Sequence, residues 1–557
     1  MRTHLLFAVV LVAVAQVSLA ACHGASTHAA GDGNPEATDA EAVPGIDATM
    51  ADGEARDAGD PRLVRDAMQA AADSGRVSVT GHHHQSKRSG RYVQPAFTRA
   101  AIASMRRDPS FDGSFRGVVH AQPLYVPDGV FGKGTFYVAT ESNDVLALDE
   151  LTGSLVWQRS LGPPADFETV ACAAAFTPIG ITGTPAIDAV TRTLYVDSVI
   201  GVGAAGSRST STHLIHALSL DDGTERAGWP VDPKGLVSNG HRFDPTVQHQ
   251  RGALLLASGM LYVPYGSLGD CGDYHGWLVA ISVTDPTQVS AYSTPGAGSG
   301  MWAPNGVAAD KGNIFVATGN SKDPQGSWAG GEAVLRFSAG VPLPATPDDY
   351  FAPANWHDLD IDDLDLGGSG VLLLDMPNAT PSALAIAMGK DGNVYLLDQH
   401  HLGGLGSGIV AKEHVAAGEL VSAPASYVAK SGRYVVADIQ NGGTGIGCPP
   451  GQQGDLIGLL ISDGSPPTIK TAWCAQNSGH GSPIVTTVDG VAEPIVWITA
   501  DDSQRLHGFD GETGQLLFYG GVDDFQKITG AHRFNTVIAV HGRIVVAGDN
   551  RLYSFKP

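Results

Sequence analysis

From about residue 115 to the end, apolar side chains alternate with small or polar ones in short runs. Clear cases are TFYVATESNDVLALD (Thr135 to Asp149), NVYLLD (Asn393 to Asp398), PIVWITADDSQRLHGFD (Pro494 to Asp510) and RIVVAGDNRLYSFK (Arg543 to Lys556). A period of two is the signature of strands with one face packed, and each longer run carries Asn, Asp, Ser or Gly at its centre, as a hairpin demands. After the hairpin, ELTGSLVWQRS (Glu150 to Ser160) and GETGQLLFYGG (Gly511 to Gly521) add a Thr-Gly turn and a further strand. Glycine suits that turn because it tolerates positive φ.

A second element precedes each hairpin, a short apolar run opened by a small residue or proline. It reads AQPLYV at Gln122, GTPAID at Thr184, QRGALLL at Arg251 and WAPNGVA at Trp302. It recurs as GSGVLLL at Ser369, SAPASYV at Ser422, GSPIVTT at Ser482 and FNTVIAV at Asn535. The mean step is about 59 residues, a period that marks a repeat architecture. Four antiparallel strands cannot hide both faces of their own sheet, but eight such sheets fanned about one axis can. The prediction is an all-β fold, an eight-bladed β-propeller of four-stranded blades, with seven blades as the alternative if one unit is miscounted. The last unit ends at Pro557 after three strands, so its outer strand is expected from the start of the body, around Ser114 to Val119.

The amino terminus has a different texture. Arg2 and His4 precede eleven apolar residues, Leu5 to Ala15, and then Leu19-Ala20-Ala21-Cys22. That run is too short to span a bilayer and suits a secretory signal. The four residues resemble the lipobox of bacterial lipoproteins, which implies a signal peptide over 1–21 and acylation at Cys22; a plain signal peptide is the alternative. The implied location is the outer membrane, facing the periplasm or the cell surface, with the membrane touched through the lipid alone. Residues 22–91 hold no Phe or Trp, and no Tyr, and are rich in Ala, Gly, Asp and Thr. Such a stretch is expected to be a disordered tether, with a solvated His82-His83-His84 inside it. Residues 92–114 form a lead-in, and 115–557 the propeller.

Composition sharpens the picture. Among 557 residues there are 71 Gly and 33 Pro, as many turns require, and 34 basic residues stand against 57 acidic ones. A net charge of −23 repels phosphate backbones, which excludes nucleic acid as a partner. With Cys22 acylated, four cysteines remain for an oxidising compartment. Cys448 and Cys474 bracket one strand pair and are favoured to join, leaving Cys172–Cys271; buried free thiols are the alternative.

YVATESNDVLALDELTGSLVWQRSL (Tyr137 to Leu161) resembles the repeat of pyrroloquinoline-quinone (PQQ)-like β-propeller proteins. LHGFDGETGQLLF (Leu506 to Phe518) is a weaker copy with Phe in place of the final Trp. CAAAFTPIGITGTPAID (Cys172 to Asp188) and GDCGDYHGWLVAIS (Gly269 to Ser282) resemble further signatures of the secreted members, whose recurring cysteines Cys172 and Cys271 match. The resemblance spans 115–557. It implies the propeller, with Trp157, and in part Phe518, Trp229 and Trp473, docking between neighbouring sheets. For the enzymes of that family it implies PQQ, a Ca²⁺ ion, a carboxylate base and adjacent cysteines. No Cys-Cys pair and no C-x-x-C-H haem attachment occurs here, and no catalytic residue is assigned.

Loops before the inner strands and the hairpin turns share one end of the ring. They bring Gln122, His249, Gln250, Arg251, His275, Trp302, Asn305 and His480 toward one funnel. The acidic run HDLDIDDLDLGG offers Asp358, Asp360 and Asp362 as oxygen donors for Ca²⁺ if alternate residues point one way, and otherwise reads as a solvated acidic loop. The reading that emerges is a monomeric envelope binding or scaffolding module, with a protein partner or a small-molecule or saccharide ligand. The alternatives are a PQQ-dependent dehydrogenase of alcohols or sugars and a carbohydrate- or cell-wall-binding platform.

Overall fold

The computed structural model describes residues 77–166, 178–202, 211–322, 326–340 and 342–557. Within them the strands form eight antiparallel blades. Blade one shows the plan: Leu124–Val126 innermost, then Thr135–Ala139, Asp144–Asp149 and Leu155–Ser160, each paired to the next. The hairpin turns at Asn143, whose φ of 59° places it in the left-handed region that Asn tolerates. The remaining inner strands are Ala186–Asp188, Leu255–Ala257, Ala308–Asp310, Leu372–Asp375, Ala425–Ala429, Ile484–Thr487 and Ile538–Val540. Blade two has three regular strands, and only single bridges from Glu225 and Val231 continue it outward.

Apolar side chains gather between blades rather than within them. Leu124, Tyr137 and Val145 of blade one pack with Ile187, Leu194 and Leu218 of blade two; Tyr427 and Val436 of blade six meet Val485, Val496 and Phe509 of blade seven. The tryptophan expectation holds at two such seams. Trp157 Nε1 and Tyr137 Oη both donate to the Leu220 carbonyl, at 3.0 and 3.2 Å. Trp473 Nε1 and Tyr427 Oη do the same to Gly511, at 2.8 and 2.5 Å. Each ring thus buries apolar area and satisfies the neighbouring sheet's turn. Cys448 and Cys474 are joined, with Cα atoms 5.6 Å apart. Cys172 lies outside the described residues, and so does its pairing with Cys271.

Blade eight closes differently from expectation. Its outer strand is Arg106–Arg107, paired with Phe555 and Lys556, and Ser114 adds only a single bridge to Arg551. The anchor is Asp108, which is buried and accepts from Arg543 Nη1 and Lys556 Nζ, both at 2.8 Å. Burial opposes its ionisation, but these bonds and those from Ser110 outweigh it and hold the carboxyl well below the usual carboxylate range.

The larger correction concerns 77–91, which composition assigned to the tether. Residues 79–94 instead run around the inside of the ring and bond to every blade. Val79 pairs with Tyr125; the carbonyls of Thr80, Ser86, Lys87, Ser89 and Gly90 accept from Ile187, Ala309, Leu373, Ser426 and Val485. Arg88 Nη2 reaches Leu254 of blade three at 2.9 Å, and Gln94 Oε1 accepts from Gly542 after the inner strand of blade eight at 2.9 Å. Inner strands face the axis with an unpaired edge, and this belt supplies the missing partners. Low hydrophobicity is no obstacle to order when the gain is backbone hydrogen bonding. The signal peptide, Cys22 and the rest of the tether lie outside the described residues. No helix among the described residues is long and apolar enough to cross a membrane.

Candidate functional site

Above the belt the channel opens into a cavity of about 710 Å³. Each blade can offer it two positions, one in the loop before the inner strand and one at the end of the second strand. In three blades these positions hold a histidine and an acid in contact: His120–Glu141 at 2.8 Å, His480–Asp501 at 3.2 Å and His532–Asp549 at 2.7 Å. Blade five reverses the order, with Asp365 before the inner strand and Lys390 after the second, 2.5 Å apart. His120 and His532 also meet across the seam between blades eight and one, ring centroids 4.6 Å apart.

One wall of the cavity is a row of alternating cations and aromatic rings. Lys390 Nζ lies 5.8 Å from the Trp302 ring centre, and the Arg251 guanidinium 5.3 Å from the same ring. Arg251 is also 5.6 Å from the Phe534 ring, and Arg533 lies 5.4 Å from it. Cations over such faces are attracted by the ring quadrupole. His249 sits beside Arg251 and shares a 3.0 Å hydrogen bond with Thr182 Oγ1. Burial, then the neighbouring guanidinium, drives its pKa well below the usual value, so it is neutral. His532 goes the other way, because the bond to Asp549 raises its pKa against a smaller effect of burial. Burial opposes the charge on Lys390, but Asp365 and Asp363 outweigh it and keep the ammonium protonated. Behind Asp365 the buried Glu332 is pushed well up by burial and by Asp365, which favours its neutral form.

Three of the eight funnel residues read from sequence therefore line the cavity: His249, Arg251 and Trp302. Gln122 and Asn305 are turned into the interior. Gln122 Oε1 accepts from His83 N at 3.0 Å, and Asn305 Nδ2 donates to Val371 O at 3.0 Å. Gln250 is buried too, its amide donating to Gly252 O. His275 stacks on His241, centroids 3.7 Å apart, and bonds to Thr294 O, away from the cavity. His480 reaches Asp501 just outside the wall. Lys390, Arg533, Phe534 and His532 were missed. For His532 a signal was present, for in blades one, seven and eight an acid follows its histidine by 21, 21 and 17 residues.

The histidine run is also corrected. His82 and His83 are buried, stacked 4.4 Å apart, and His82 forms part of the cavity floor. Burial depresses the pKa of His83 to about 3 and that of His84 to about 4. They are solvated by the ring, not by water. Asp358, Asp360 and Asp362 lie on a helix, Trp356–Asp362, where residues two apart point about 200° from each other. Asp360 is buried and accepts from Ser321 N at 2.7 Å, while its two neighbours face out. These three do not converge on an ion.

The quinone and Ca²⁺ implied by the repeat can be tested against the donors present. Among the described residues one group of three could hold a metal, His480, Asp501 and Asp502, and none of them lines the cavity. The aromatic platform, Trp302, already carries Arg251 and Lys390. The residues present do not fit a metal-bound quinone.

No protein-family model and no curated protein matches the sequence. Solved structures do resemble it. Quinohemoprotein alcohol dehydrogenase from Comamonas testosteroni superposes with a TM-score of 0.54 at 15% identity, over 88% of this chain and 84% of that one. The quinohemoprotein alcohol dehydrogenase of Pseudomonas putida HK5 gives 0.58 at 14%, over 89% and 82%. A europium-containing methanol dehydrogenase gives 0.56 at 13%, over 88% and 91%. The chain shares with these quinoproteins the eight-bladed propeller fold that its repeats predict.

Proposed function

We propose that this protein is a ligand-binding module of the bacterial cell envelope, held to the membrane by a lipid on Cys22, and not a dehydrogenase. The observation that carries this reading is the cavity wall. Arg251, Trp302, Lys390, Phe534 and Arg533 give it contact surface and charge, while among the described residues no group of three histidine, cysteine or acidic donors lines it. Asp365, the carboxylate on the wall nearest the row, is held by Lys390 and by Asn320 N at 2.7 Å, which leaves it poorly placed to take a proton from a substrate.

Dye reduction tests the proposal. Purified protein given PQQ, Ca²⁺ and short alcohols or aldoses is expected to reduce no dye above background, and turnover would overturn the reading. Radiolabelled fatty acid is expected to enter the wild type but not Cys22→Ser; equal labelling of the two would remove the lipid anchor.

A further inference from the structure

We infer that the cavity takes a small organic anion with at least two acidic groups, one on Arg251 and one on Arg533, across the Phe534 ring. This rests on the binding reading above and adds the class of ligand.

Arg251 is the starting point. Among the described residues its guanidinium makes contact with the Trp302 and Phe534 rings but has no hydrogen-bond acceptor and no carboxylate partner. The acids around it are already engaged. Asp270 accepts from Ser267 Oγ at 2.7 Å and Tyr274 Oη at 2.9 Å, and Asp365 is held by Lys390. Among the described residues Arg533 bonds only to the neutral amides of Gln440 and Asn441. Two guanidiniums without carboxylates, on the wall of a cavity in a chain of net charge −23, are placed against the trend of the whole molecule. A guanidinium keeps its proton at neutral pH, and its planar fork matches the paired oxygens of a carboxylate or phosphate.

Phe534 supplies an independent observation. Its φ of 72° is a left-handed conformation that a bulky residue rarely adopts. The strain sits where the ring stands between two cations, and strained residues cluster at ligand clamps. Held by the ring, both guanidiniums lose the freedom that binding would otherwise have to remove. The cavity volume of about 710 Å³ far exceeds a lone oxyanion, and Ile179, Leu268 and Val421 on the wall can take a carbon body.

Citrate, inorganic phosphate and glucose serve as probes in calorimetric titrations at low ionic strength. Citrate is expected to bind, more tightly than phosphate and with an affinity that falls as salt is added to the wild-type protein. Arg251→Gln is expected to weaken it by about tenfold or more, as loss of a charge-assisted hydrogen bond does, and Arg533→Gln by less. The salt series needs no variant and so survives a folding failure in either. Absence of citrate binding, salt-independent binding, or equal binding by folded Arg251→Gln would overturn the inference. Phosphate bound as tightly as citrate would remove the two-group requirement. Glucose bound in place of citrate would sink the anion but leave a binding module. Only dye reduction with PQQ and Ca²⁺ would sink the module itself.

Discussion

At the closed end of the channel Arg88 commits its guanidinium to four hydrogen bonds, all onto the carbonyls of Val307, His82 and Leu254. At the mouth Arg251 has rings for neighbours and, among the described residues, no acceptor. The histidines divide the same way. His83, enclosed by the belt, is pressed toward neutrality, whereas His532, facing an acid on the cavity wall, is drawn toward the charged form. Residue type therefore says little about role in this ring. What matters is whether the polar atoms have been matched by protein or left for something else.

That contrast can be attacked most strongly at Arg88. Arg88→Ala strands three buried carbonyls and is expected to lower stability on the order of 3 kcal/mol in urea titrations. Arg251→Ala should leave the unfolding midpoint near the wild-type value, because only the two ring contacts are lost and no hydrogen-bonding group among the described residues is stranded. Equal losses at both sites would erase the distinction. A smaller effect is expected at Gly90, whose φ is +61° and where an added Cβ would stand 3.0 Å from that of Ala425. Gly90→Ala should cost about 1–2 kcal/mol in the same assay.

Acidification should drive the two ends apart. His83 has a folded pKa of about 3 against an ordinary 6.5, so below 6.5 the unfolded chain binds the extra proton. Its share of stability is complete above 6.5 and is lost as pH falls toward 3; His83→Gln should flatten the fall between pH 6.5 and 4.5 relative to wild type. His532 has the opposite sign. The stability it adds is complete below its unfolded pKa and is lost as pH rises through the raised folded value. On lowering pH through that value His532 gains its charge at the mouth, and citrate affinity should fall less, or rise more, in the wild type than in His532→Gln. The smallest effect belongs to His480→Ala, which is expected to change ligand affinity by less than about twofold, since its side chain stands outside the cavity.

Much of the ring was legible because its repeats are written in local chemistry. The alternation of apolar residues and the Asn143 turn are each decided within a few residues, and Trp157 is marked by its fixed place at the end of the repeat. The mouth was only half legible, for a reason visible at Gln250 and Arg251. Adjacent residues in extended chain point to opposite sides, so reading a loop as a unit mixes wall with interior. Arg533 and Phe534 were hidden because the backbone at 534 takes an unfavourable conformation that no periodicity announces. The belt was hidden for a third reason. Its partners lie as far as 448 residues away, and composition reports on hydrophobic burial, not on inner edges waiting for carbonyls.

That distance also orders events in time. Residues 79–94 are among the first of the body to be synthesised, yet they cannot all find their places until Gly542 of blade eight exists. A chain halted after seven blades would hold its early segment with the bonds of His82 to Thr536 and of Gln94 to Ala539 and Gly542 unmade. Contacts of such long sequence separation are slow to form, so these bonds are expected among the late ones in folding. The same few residues that begin the body are what finish it.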